Sequence, residues 1–376
     1  MSGSAVESGQ LPSHEQYLAL ARFPSLDGLR ALSIVPVVFH HSTPHPFSGV
    51  WGKGPLGVHL FFAISGFLIT TLLVRERARH GGISLARFYA RRSLRIFPLY
   101  YLVLGLYVVR ALLFLEDSPI RAHFFRSLPF YLSYTGNWFV DYSVPHPVIF
   151  GFSWSLATEE QFYLFWPPVL ALLAGRRLPI LVLVALLGLD LGTEHGLLAA
   201  VMPTGGRAER IVTSISAPIA LGALLALLLD EPKSFGWVSR ALGWRFSAAT
   251  CLLLLLLAVA LDAPLVAIHV LMVALVGAVS LRPDHLLAWI FELRPVRYLG
   301  EVSYGIYLWH VSAITTLRWL WPAAPLLVSF PLALLLATAI AGLSYGYFER
   351  PFLAWKRRFE RVSVSRAAER IQSTET

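Results

Sequence analysis

The sequence predicts an all-α polytopic membrane protein with about ten transmembrane helices and both termini cytoplasmic. Three observations predict it: composition, the lengths of the apolar segments, and the distribution of arginine. Of 376 residues, 56 % are hydrophobic and 14 % are charged, with a mean hydropathy of +0.63. A soluble domain carries about 25 % charged residues. Too little charge is present to coat a soluble globule of this size, which excludes a soluble enzyme, a disordered chain and a coiled coil. Ten apolar segments approach the ~20 residues needed to cross ~30 Å of hydrocarbon. They run over 27–44, 56–74, 97–115, 150–174, 178–193, 211–229, 246–262, 264–281, 298–321 and 324–348. With both termini inside, the inner segments hold 23 Lys and Arg and the outer ones hold 5. That asymmetry follows the positive-inside rule and requires an even number of spans.

Other features bound the class further. Cys251 is the one cysteine, so an intramolecular disulfide or a Cys/His zinc set cannot form. It reads as a small packing residue in an apolar run. The net charge of +9 is assigned to cytoplasmic loops rather than to nucleic-acid binding. No cleavable signal peptide is visible at the polar N-terminus. Residues 1–22 read as a cytoplasmic tail, 23–355 as one membrane domain, and 356–376 as a basic cytoplasmic tail. The aromatic stretch 128–140 reads as interfacial or re-entrant.

Ionisable groups at membrane depth are costly, so they are the functional candidates. In the first span, LDGLRALSIVPVVFHHS, Arg30 and His41 are eleven residues apart. Eleven steps of 100° bring them onto one helix face, about 16 Å apart along the axis. A cation near the inner end and an imidazole near the outer end suit a charged donor entering from one side and a base meeting an acceptor on the other. The same pair also fits a plainer reading, with Arg30 snorkelling and His41 a polar cap. Asp27 accompanies them as a supporting polar group. Pro36, between them, is a candidate kink.

The second span, GVHLFFAISGFLITTLL, carries His59 near its outer end, and Ser65-Gly66 permit close helix approach. Histidines 40, 41, 45 and 59 have no Cys or carboxylate at ligand spacing, so no metal is expected. Before the third span, Arg91, Arg92 and Arg95 form a cluster that suits phosphate recognition or, more plainly, lipid headgroups and topology. Glu159 and Glu160 open the fourth span. Read as starting near the outer surface, Glu159 could orient an imidazole base, or it could be a dipole-favoured acid at a helix start. The ninth span holds Glu301, Ser303, Tyr304, Tyr307 and His310, with Tyr307 and His310 on one face. Arg318 beside Trp319 and Trp321 reads as a snorkelling residue in an aromatic belt.

Together these segments resemble the acyltransferase-3 family of integral membrane acyltransferases, from about residue 23 to 355. The resemblance rests on LDGLRALSIVPVVFHH at 26–41, GVHLFFAISGFLIT at 57–70, FYARRSLRIFPLYYL at 88–102, WSLATEEQFYLFWP at 154–167, GEVSYGIYLWH at 300–310 and YFERP at 347–351. It implies O-acylation of a cell-envelope glycan, glycolipid or related acceptor. It maps the family's Arg-x10-His pair onto Arg30 and His41, with His41 as general base. It implies that Arg91, Arg92 and Arg95 help hold the phosphates of coenzyme A, and it matches Glu159 to the family's Glu after WSL. His59 departs from the more usual Asp and His40 from a more usual aromatic residue.

The reaction expected is transfer of an acyl group, most simply acetyl, from cytoplasmic acyl-CoA to a hydroxyl. Arg30, His41 and Glu159 would be catalytic and Arg91, Arg92 and Arg95 would bind the donor. Asp27, His59, Ser65, Tyr304 and His310 would lend polar support. The expected partners are membrane lipid and the glycan or glycolipid acceptor, with no nucleic acid. The place expected is a bacterial inner (plasma) membrane, with the site reaching the outer side. With about 28 residues after the tenth span, acceptor recognition is assigned to the membrane domain. The rival reading is a transporter or flippase for a polar or glycolipid substrate; no inverted repeat or paired broken helices favour it.

Overall fold

The computed structural model describes residues 11–43, 52–173, 175–199 and 206–359; His45 and the ends of both tails lie outside them. Among the described residues every regular element is helical. Each of the ten apolar segments coincides with a helix. These are α1 (Ser25–Ser42), α2 (Leu56–His80), α3 (Leu85–Phe114), α4 (Trp154–Leu172), α5 (Arg177–Glu194), α6 (Ala217–Asp230), α7 (Ser247–Ala260), α8 (Leu265–Leu281), α9 (Ser303–Leu320) and α10 (Leu326–Leu343). Among the described residues four helical runs are both long and apolar enough to cross a membrane, and a fifth passes if Pro232–Leu242 and α7, bent by 71°, count as one. Large apolar side chains point outward, with Leu327 88 % and Leu172 81 % exposed. Such a surface belongs in hydrocarbon rather than water. The chain is an integral membrane protein built on apolar helices.

Local chemistry sets the helix ends. Ser13 and Gln16 form a reciprocal capping box that starts helix His14–Ala19. This short helix folds back on the membrane domain. Tyr17 is buried beside Phe235, and Arg75 donates to the carbonyls of Tyr17 and Leu20. Pro24 precedes α1, whereas Pro36 lies inside it without ending it. Residues 128–140, read as interfacial, form the end of helix Pro119–Leu132 and a separate turn of helix, Gly136–Phe139. Tyr134 between them has φ of 54°, a left-handed backbone that breaks the run.

The packing of α2 on α6 positions the site. A Cβ on Gly66 would stand 1.9 Å from the Ile219 carbonyl oxygen, and one on Gly222 would stand 2.2 Å from that of Ala63. Each glycine therefore lets the other helix approach to backbone contact. This holds α2 in place, with Ser65 against Glu159 of α4 and His59 against His269 of α8.

Candidate active site

Because α1 is continuous, Arg30 and His41 keep the spacing expected of one face. The C-terminal end of α1 is built around two imidazoles. His41 Nδ1 lies 3.0 Å from the Val37 carbonyl. A carbonyl only accepts, so Nδ1 carries the proton and Nε2 keeps its lone pair. The His310 ring of α9 stands edge-on to it at a centroid distance of 4.8 Å, with His40 at 5.3 Å on the other side. His310 is fully buried, and its Nδ1 donates to the Tyr307 carbonyl. Arg318 does more than reach for the interface. It donates to the carbonyls of His41, Ser42 and Thr43, capping the end of α1 that carries the imidazole.

Below this pair, the Tyr307 hydroxyl donates to the Phe152 carbonyl at 2.7 Å and accepts from Ser155 at 2.6 Å. That fixes α9 to the start of α4.

Glu159 and Arg92 share one cluster. Arg92 lies 3.4 Å from Glu159 and 3.4 Å from Glu160, with its guanidinium stacked 3.7 Å over the Tyr163 ring. Glu159 also accepts hydrogen bonds from Ser65 and Tyr163. The expected contact between Glu159 and His41 is not made; Glu159 is bound to an arginine from the other end of the bundle. The reason is that α3 runs unbroken from Leu85 to Phe114, which carries Arg92 two turns up the helix to the level of Glu159.

The three arginines of α3 have separate fates. Arg91 pairs with buried Glu76 at 3.3 Å and donates to the Phe359 carbonyl. Arg92 is held by the two carboxylates. Arg95 makes no hydrogen bond or ion pair among the described residues. It lines a small cleft with Glu301, Tyr304, Tyr345 and Glu349. Arg30, paired with Asp27 at 2.9 Å, is near enough for its charge to act on Arg95. Tyr304 donates to the Ile96 carbonyl, and Ser344 donates to Glu349. The wall from Ser344 to Glu349 is a π-helical turn, a distortion frequent at functional sites.

His59 is not part of either end. Its Nδ1 lies 2.9 Å from His269 Nε2 of α8. His269 was missed by the sequence reading, although an ionisable residue inside the run VAIHVLMV was signal enough. Among the described residues no group of three or more His, Cys, Asp or Glu is placed to hold a metal.

A family model described as an acyltransferase domain matches residues 23–346. The chain belongs to this acyltransferase-3 family. The peptidoglycan O-acetyltransferase OatA of Listeria monocytogenes is 31 % identical to this acyltransferase-3 chain over 320 residues, covering 78 % of the chain and 49 % of the relative. The O-acetyltransferase OatA of Staphylococcus aureus is 28 % identical over 355 residues, covering 87 % of the chain and 57 % of the relative. The chain thus spans about half the length of these relatives. No solved structure matches it.

Proposed function

We propose that the protein is a membrane O-acetyltransferase that moves an acetyl group from acyl-CoA to a hydroxyl of a cell-wall glycan, with His41 as the general base. One observation carries this reading: the Val37 bond leaves the His41 Nε2 lone pair without a partner among the described residues, at the accessible outer end of the helix whose inner end bears Arg30. Sugar hydroxyls are poor nucleophiles until a proton is drawn off, and a positioned base contributes roughly 10²–10⁴-fold. Membership in the family and the names of the two relatives support the reaction class, and the Listeria relative favours peptidoglycan as acceptor.

The donor end is assigned to Arg95, with Arg30 beside it. Among the described residues Arg95 makes no hydrogen bond or ion pair, and its guanidinium fork suits a phosphate. Arg91 and Arg92 are already engaged by carboxylates and are given a supporting part in shaping that end. In the reaction, His41 Nε2 takes the hydroxyl proton while the oxygen attacks the thioester carbonyl. The carbon–sulfur bond then breaks, its electron pair leaves on sulfur, and the thiolate regains a proton. The arginine distribution supports an orientation with Arg30 and Arg95 on the cytoplasmic side and His41 on the outer side, and the bacterial sources of the relatives favour a bacterial plasma membrane.

The test is transfer of label from acetyl-CoA to isolated peptidoglycan by membranes carrying the wild type or His41→Ala. The expected result is label with the wild type and none with the variant, at equal amounts of inserted protein. Full turnover in the variant would remove His41 from the role of base, and no label with either protein would remove the reaction.

A further inference from the structure

A base that accepts a proton needs something to stabilise the cation it becomes. A carboxylate is the usual partner of a histidine base, and the sequence pointed to Glu159 for that part. Glu159 is instead consumed by Arg92, Ser65 and Tyr163. Among the described residues no carboxylate bonds to His41. The nearest fixed charge opposes the cation, because the Arg318 guanidinium caps the carbonyls of residues 41–43. The negative end of the α1 dipole is thereby partly cancelled.

One group is left. The Tyr307 carbonyl takes the Nδ1 proton of His310, so His310 Nε2 is a lone pair. That atom is buried and has no hydrogen-bond partner among the described residues. Buried polar atoms left unpaired cost about 1–3 kcal/mol, and a native structure that carries one usually has a use for it. The His310 ring is 0 % exposed and T-shaped to His41 at 4.8 Å between centroids, so the two rings are direct neighbours. Phe152 closes one side of His310 at 5.3 Å and Tyr307 another at 5.4 Å.

We propose that His310 is the positioning residue of the base: its buried Nε2 lone pair, a fixed negative pole beside the His41 ring, stabilises the His41 imidazolium once the acceptor hydroxyl has been deprotonated. This rests on the reading of His41 as base. The proton leaves the acceptor oxygen, binds His41 Nε2, stays there while the tetrahedral intermediate stands, and passes to the departing sulfur. No proton or electron is left over. His310 stays neutral in the resting site, because its second nitrogen is the acceptor.

Two amides separate this role from a structural one. In His310→Gln the side-chain oxygen can occupy the place of Nε2 and accept, whereas in His310→Asn the amide occupies the place of Nδ1 and keeps only the bond to Tyr307. The expected result is that His310→Gln retains kcat about tenfold or more above His310→Asn, a share of the roughly 10²–10⁴-fold that a positioned base supplies. KM for acetyl-CoA should stay within about twofold, because the donor end is untouched. Asn equal to or better than Gln would overturn the proposal, as would wild-type kcat in both, since only the Tyr307 bond or neither bond would then matter. Solid-state ¹⁵N spectra of the unmutated protein, assigned through the backbone, give a second reading that no folding defect can obscure. They should show His310 protonated at Nδ1 and bare at Nε2; a protonated Nε2 would sink the idea. A wild type that transfers no label fails the acyltransferase reading itself, and the spectra still decide the state of His310.

Discussion

Removal of Arg92 tests whether this arginine is structural or holds the donor. The side chain bridges adjacent carboxylates, and the three groups are only 16 %, 18 % and 13 % exposed. Arg92→Ala would leave Glu159 and Glu160 side by side without a counter-ion. Taking one partner from a buried ion pair costs about 3–5 kcal/mol, and loss of the stacking on Tyr163 adds to it. The residual exposure, and the bonds Glu159 keeps to Ser65 and Tyr163, favour the lower end, about 3 kcal/mol. That is a factor of more than a hundred in the folding equilibrium. The assay is thermal melting of the detergent-solubilised protein, followed as loss of the monodisperse peak. Arg92→Ala should melt several degrees lower. Adding Glu160→Gln should restore part of the loss, because one of the stranded charges is removed. An Arg92→Ala protein that melts like the wild type and shows only a raised KM for acetyl-CoA would refute the reasoning and return Arg92 to the donor site.

Two further perturbations probe the scaffold. Gly66→Ala should prevent accumulation of folded protein, since the new Cβ meets the Ile219 carbonyl oxygen at 1.9 Å. Gly105→Ala, with nothing within 4 Å of its Cβ, should be neutral or slightly stabilising; equal expression of the two would contradict the close contact of α2 and α6. Burial pushes the His285 imidazole, in the loop after α8, down to about 4. The Ser25 hydroxyl donates to Glu292, so His285 Nε2 donates to Ser25 and the ring is neutral. A base with a lowered pKa in the folded state gives stability that is whole above pH 6.5 and lost as pH falls toward 4. The melting temperature should therefore drop across that window, and His285→Gln should flatten the drop; identical pH profiles for the two proteins would count against it.

Much of the fold was legible in the sequence. Apolar periodicity and segment length are local properties, so each of the ten apolar segments is matched by a helix. The placement of Arg30 and His41 on one face was legible for the same reason, since eleven residues on a continuous helix leave no other geometry. Family motifs in order marked the same segments. The partners of those residues were not legible. Glu159 was matched to His41 by assumed depth, but depth across the bundle depends on where α3 starts and how it crosses α4. The sequence treats Arg91, Arg92 and Arg95 as one cluster. The tertiary structure sends the first to Glu76, the second to Glu159 and Glu160, and leaves the third, among the described residues, without an ion pair in the cleft. His59 finds His269, 210 residues away, and Arg318 finds the end of α1. Spacing along one helix settles which side chains share a face. Which face meets which is settled only by packing, through backbone contacts such as those of Gly66 and Gly222, and that packing brings His310 to His41.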